Sequence, residues 1–104
     1  MTESPASVIG TWDLTIKTPI GTQLVVLQLS DVDGVVEGVA AGAHESVPIR
    51  DLVITGDTMA WQQSITKPIR LNLTFEVDVI GDQLSGTSKA GRLPRSKVTG
   101  IRRS

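Results

Sequence analysis

The sequence predicts an all-β fold, an antiparallel up-and-down meander barrel of about eight strands, and three observations predict it. A turn-and-strand phrase recurs as Asp33-Gly34-Val35-Val36-Glu37-Gly38, Gly56-Asp57-Thr58-Met59-Ala60-Trp61 and Gly81-Asp82-Gln83-Leu84-Ser85-Gly86. A Gly/Asp pair between alternating runs marks a tight hairpin, whose central residues need positive φ. Apolar and polar residues alternate along most of the chain, and a period of two belongs to half-buried strands. No segment keeps a helical 3.6-residue period over three turns. Consecutive hairpins of similar length form a meander that closes on itself.

The first strand spans about 9–17, with Trp12, Leu14 and Ile16 on one face and Asp13, Thr15 and Lys17 on the other. Pro19 and Gly21 break the chain before the second, about 22–30. The turn at 31–34 leads to the third, about 35–41, and Gly42-Ala43-His44-Glu45 forms a loop before the fourth, about 47–55. The fifth runs about 58–66 and ends at Lys67-Pro68. The sixth, about 69–79, is the longest and carries Leu71, Leu73, Phe75, Val77 and Val79 on one face. Gly91 and Pro94 separate the seventh, about 83–89, from the eighth, about 95–102.

A chain of 104 residues suits one domain with a single modest core: residues 1–8 read as an N-terminal extension and 9–104 as the barrel. With no cysteine, disulfides and thiolate zinc sites are excluded. The start, Met1-Thr2-Glu3-Ser4-Pro5, lacks the basic and apolar regions of a signal peptide, and no apolar run reaches membrane-helix length. A cytoplasmic protein without a membrane partner is the expectation. Residues 1–60 hold eight acids against two bases, and residues 61–104 hold eight bases against three acids, for a net charge of −1. A basic half attracts anions, but no RNA-binding motif accompanies it, and nucleic acid is not the expected partner.

Aligning the three turns sets the inward faces. Val36, Met59 and Leu84 share one position; Gly38, Trp61 and Gly86 share the next; Ala40, Gln63 and Ser88 follow. Before the turns, Val79 matches Ile54, Val77 matches Leu52, and Phe75 matches Arg50. Leu14, Ile16, Val25, Leu27, Leu29 and Leu73 complete an interior of medium aliphatic side chains. A one-residue offset reverses a strand's faces, and in the fourth strand it would place Ile49 inside and Arg50 in solvent.

Gly10-Thr11-Trp12 opens the first strand and Gly100-Ile101-Arg102 closes the last. This pattern resembles the calycin superfamily of lipocalins, fatty-acid-binding proteins and avidins. The resemblance implies a barrel with a ligand-binding habit, plugged at one end by Trp12, with Arg102 across its ring and Gly10 letting the chain pass beneath. The chain departs from these families in lacking the lipocalin disulfide, the lid helices of fatty-acid-binding proteins and the aromatic cluster of avidins.

An eight-stranded barrel is filled by side chains or holds one small ligand. The small residues Gly38, Ala40 and Gly86 suggest space. Leu27, Met59, Trp61 and Phe75 are the expected apolar lining, with Arg50, Gln63 and Ser88 orienting a polar end; Gln63 and Ser88 have the alternative of bonding each other across strands. The expected function is binding of a small, mainly hydrophobic molecule. The alternative is a small cofactor-independent enzyme (isomerase, cyclase or hydrolase) in the same cavity, with His44 or Arg50 as its polar group and Glu45 or Asp51 orienting His44. A lone histidine in a polar loop is also satisfied simply by solvent. One histidine does not make a metal site, and neither metal nor cofactor is expected. Finally, Leu24 and Val26 on the second strand and Val39 and Ala41 on the third make an outer apolar patch. It suits a twofold homodimer, unless the 4–8 segment covers it. A module working through this outer face is a third class of reading.

Overall fold

The computed structural model describes residues 8–18, 21–42, 45–66, 70–91 and 93–103. Nine strands form one antiparallel sheet: β1 (Gly10–Thr18), β2 (Gly21–Val32), β3 (Val35–Ala41), β4 (Ser46–Pro48), β5 (Arg50–Thr55), β6 (Thr58–Ile65), β7 (Leu71–Ile80), β8 (Gln83–Ala90) and β9 (Ser96–Arg102). The order β4-β3-β2-β1-β9-β8-β7-β6-β5 brings the first and last strands of the chain together and carries the sheet around into a nearly closed barrel.

The ninth strand arises where the fourth predicted strand divides. β4 pairs with β3 through Val39–Pro48 to Ala41–Ser46, whereas β5 pairs with β6. Between them lies Ile49, whose N–H donates to the Gly38 carbonyl at 3.0 Å. One extended segment thus changes partners and bridges the seam. The ladder slips between Arg50 and Val53, because Arg50 opposes Gln62 while Val53 opposes Ala60. Asp51, at φ 54°, supplies the extra residue of a β-bulge.

The repeated turns have the backbone that the Gly/Asp pairs require. Asp33 (φ 53°) and Gly34 (φ 84°) are both left-handed, the type I′ arrangement that matches strand twist. Asp31 Oδ1 accepts from the Gly34 N–H at 2.8 Å and holds that turn. In the other two turns only the first central residue, Gly56 (φ 58°) or Gly81 (φ 60°), is left-handed, as type II′ requires. These three turns, the start of β1 and the end of β9 share one end of the barrel, here the lower end. The connections after β1, β3, β6 and β8 share the upper end.

Alternation carries the core. Trp12, Leu14, Ile16, Leu27, Leu29, Met59, Trp61, Phe75, Val77, Leu84 and Val98 are buried, while their strand neighbours face outward. At about 1.5–3 kcal/mol per fully buried large apolar side chain, this interior is the main favourable term of folding.

Candidate functional site

The lower end is sealed. The Trp12 indole N–H donates to the Val8 carbonyl at 3.0 Å, and both residues are buried. The Arg102 guanidinium carbon lies 4.5 Å from the Trp12 ring centroid, a cation–π geometry. Its nitrogens donate to Ile9 O at 2.7 Å, Gly81 O at 2.9 Å and Asp82 Oδ1 at 2.9 Å. Gly10, at φ 138°, passes below, and a Cβ there would stand 3.4 Å from Arg102 Cδ. Arg103 forks the Asp13 carboxylate nearby; these hydrogen bonds hold the Asp13 pKa below its ordinary value.

The middle of the barrel is close-packed. Leu27, Met59 and Phe75 have no accessible surface, although a void wide enough for one water would give its walls some. Trp61 stacks on Phe75 with centroids 4.8 Å apart and planes within 5°. The small residues do not leave the expected space. A Cβ at Gly38 would sit 2.6 Å from Leu29 Cδ2 and 2.8 Å from Ile49 Cδ1, so these side chains already occupy that place. Beside Gly86 it is backbone that closes in, with the Glu76 carbonyl oxygen 2.0 Å from where a Cβ would lie. Ala40 is buried as well.

The upper end differs in chemistry. Gln63, Ser88 and Ser96 are buried polar residues with inward side chains. Ser96 opposes Ser88, Ser88 opposes Phe75, and Phe75 opposes Trp61. The Trp61 indole N–H donates to Gln63 Oε1 at 3.0 Å, so the expected direct bond between Gln63 and Ser88 is replaced by this one at the Gln63 oxygen. Around and above Gln63, which opposes Leu73, the inward side chains of Val47, Leu71, Leu73 and Ala90 are only half-buried. They form a half-buried apolar rim around these buried polar side chains.

Of the expected lining, Leu27, Met59, Trp61, Gln63, Phe75 and Ser88 all point inward, while Arg50 does not. Arg50 is exposed on the outer face, where its Nη2 donates to Ser64 Oγ at 2.7 Å and Ser64 in turn donates to Asn72 Oδ1 at 2.8 Å. The cause is the bulge at Asp51: the extra residue shifts the alternation, so Leu52 and Ile54 face inward below it and Val47 and Ile49 above it. His44 lies outside the described residues. Of its expected orienters, Glu45 is engaged by the Thr66 backbone N–H and hydroxyl, and Asp51 is exposed. Ser96 was not among the expected site residues; its period of two with Val98 and Gly100 was the available signal. Among the described residues no group of three or more His, Cys, Asp or Glu is placed to hold a metal ion.

No protein-family profile matches the chain, and no curated protein matches it. Its likeness to a solved structure is architectural. The chain is similar to a redesigned β-barrel. The two share 14% identity over 100% of this chain and 98% of the other, with a TM-score of 0.78. At that identity the likeness speaks for the barrel fold alone.

Proposed function

We propose that this calycin-like barrel binds a small, mainly hydrophobic molecule at its upper mouth, between the Trp61–Phe75 stack and the apolar rim. The observation that carries the reading is the buried polar rung of Gln63, Ser88 and Ser96. Replacing both partners of a buried hydrogen bond by aliphatic groups of similar shape is close to neutral or stabilising, whereas removing one leaves the other unsatisfied. Gln63 serves the Trp61 indole N–H, but folding gives no such reason for Ser88 and Ser96 at one end of an otherwise apolar interior, whereas a ligand's polar group does. The Gly10, Trp12 and Arg102 closure supports the calycin-like part of the reading, since it leaves the opposite end as the place of entry.

The test is titration with the neutral probe N-phenyl-1-naphthylamine, alongside native mass spectrometry of the purified protein for a retained molecule. Saturable fluorescence at about one probe per barrel is expected. Ser88→Leu, which fills the mouth, is expected to weaken uptake by about tenfold or more while leaving the far-ultraviolet circular dichroism unchanged. Unsaturable fluorescence, or equal uptake by Ser88→Leu, sinks the reading.

We also propose a twofold dimer through the outer faces of β2 and β3. Leu24 is 71% exposed and Val39 is 41% exposed, beside half-buried Val26 and Ala41. Pro48 extends the patch onto β4. Contiguous apolar surface of this kind marks an interface in soluble proteins. Leu24→Lys is expected to yield a folded monomer, with unchanged far-ultraviolet circular dichroism, in light scattering coupled to size-exclusion chromatography. A wild-type protein that is already monomeric at high concentration overturns the dimer.

A further inference from the structure

The barrel is electrically polar along its axis. The turn acids Asp31, Asp33, Asp57 and Asp82 gather at the lower end, with Glu37 and Asp78 just above them. The bases at that end, Arg102 and Arg103, are each neutralised in a salt bridge, to Asp82 and Asp13. Lys17, Arg70, Lys89, Arg95 and Lys97 are all exposed at the upper end, and among the described residues none of them is in a salt bridge. Arg50, Asp51 and Glu76 lie between the two groups, and Glu45, engaged by Thr66, is the one described acid at the upper end.

These cations are crowded by the ladder itself. Lys17 stands directly opposite Lys97. Lys89 and Arg95 flank the end of the β8–β9 ladder, one step beyond the Ser88–Ser96 pair. Like charges placed opposite one another are destabilising, and among the described residues neither Lys17 nor Lys97 is in a salt bridge that would offset it. An open groove of about 340 Å³ on the outer face of β7 and β8 adjoins them, lined by Asn72, Thr74, Glu76, Thr87, Lys89 and Arg95. Its amide, hydroxyl and cationic donors suit phosphate oxygens toward the Lys89 and Arg95 end, away from the Glu76 carboxylate. Leu93, 54% exposed, sits beside Arg95 in the same end.

We infer that the upper end docks on an anionic phospholipid surface, with the mouth turned toward the bilayer. A basic end opposite an acidic one orients the molecule in the field of a negative surface. The cations engage headgroup phosphates and Leu93 reaches the acyl boundary. Single-stranded nucleic acid is the weaker fit, because the three aromatic side chains that could stack on bases, Trp12, Trp61 and Phe75, are all buried. Docking needs no spanning segment, and no described helix is long and apolar enough to cross a membrane. The docking stands on the charge distribution. Its use, passing an apolar molecule between lipid and barrel without a path through water, rests on the ligand reading proposed above.

Co-sedimentation with vesicles tests it, comparing equal parts phosphatidylglycerol and phosphatidylcholine with phosphatidylcholine alone at low ionic strength. Wild type and Ser88→Leu are expected to bind the anionic vesicles alike and the neutral ones weakly. Lys89→Gln/Lys97→Gln is expected to bind about 25-fold more weakly, at about fivefold for each charge removed near the surface. Asp57→Asn, at the other end, is expected to bind as wild type. Absence of binding to anionic vesicles, or undiminished binding by the lysine pair variant, overturns the docking. So does displacement from vesicles by a single-stranded oligonucleotide at lower concentration than the lipid. Vesicle binding by a wild type that takes up no naphthylamine probe leaves the docking standing and removes its use in ligand transfer.

Discussion

Gly86→Ala is expected to destabilise the barrel by about 3 kcal/mol or more, the upper part of the range for overpacked sites. β8 approaches β7 so closely there that an added Cβ would lie 2.0 Å from the Glu76 carbonyl oxygen and 2.6 Å from Val77 Cα. Both obstacles are backbone, so no side-chain rotation relieves them. The two strands must separate at the Val77–Gly86 pair, and that opens the ladder beside the Trp61–Phe75 stack. Gly100→Ala is the control. Its added Cβ would meet Leu14 Cδ2 at 2.6 Å and Leu84 Cγ at 2.9 Å, and side chains of this kind can shift by rotamer. About 1–2 kcal/mol is expected for it. Urea unfolding checks both: a midpoint for Gly86→Ala equal to or above that of Gly100→Ala would mean that the two strands can part cheaply. For a domain of this size, 3 kcal/mol corresponds to a melting temperature lower by about 12 °C or more, a large part of typical domain stability.

The same glycine illustrates what alternation does and does not reveal. The sequence pattern placed Gly86 on the inward face, and the structure agrees. What it suggested about Gly38 and Gly86, open space for a ligand, failed for two physical reasons. The β7 backbone closes in beside Gly86, and Leu29 and Ile49 fill the place beside Gly38, Ile49 reaching it because the Asp51 bulge turns that side chain inward. A bulge is hard to read in sequence when its left-handed residue is an aspartate in the middle of a strand, with no glycine to mark it. Arg50 was misplaced by the same single residue. By contrast, Leu14, Ile16, Leu27, Leu73 and Val77 lie on regular strands between tight turns, where nothing interrupts the period of two. Their orientation follows from the sequence alone.

Charge tells a related story. Along the chain the acids precede the bases, which suggests two halves of opposite sign. In the barrel those halves interleave, because each hairpin carries the chain from one end to the other and back. Asp31, Asp57 and Asp82 are far apart in sequence and share the lower end because each belongs to a turn of the same hand of the meander. Lys17 and Lys97 become neighbours only when the first strand pairs with the last. Registers of that kind depend on closure, and closure is not encoded in any local window.

Trp12→Ala is expected to cost about 3–5 kcal/mol, as truncations of buried large aromatics do, and to open the lower end. The larger question is how much of that loss belongs to the pair with Arg102. Trp12 is fully buried, while the Arg102 side chain keeps 20% of its exposure. Cation–π energies run from about 0.5–1 kcal/mol at exposed sites to about 2 when desolvated. A coupling near 1 kcal/mol is therefore expected from a double-mutant cycle of Trp12→Ala and Arg102→Ala. Arg102→Lys is expected to behave like the alanine variant in most respects. An ammonium is a single point of charge, and it cannot serve Ile9 O, Gly81 O and Asp82 at once as the planar guanidinium does. Arg102→Lys with wild-type stability would mean that these directional bonds contribute little, and that Arg102 acts chiefly as a charge over the ring. A coupling of zero would mean instead that Trp12 closes the barrel by volume alone, with Arg102 held in place by its carbonyl partners and Asp82.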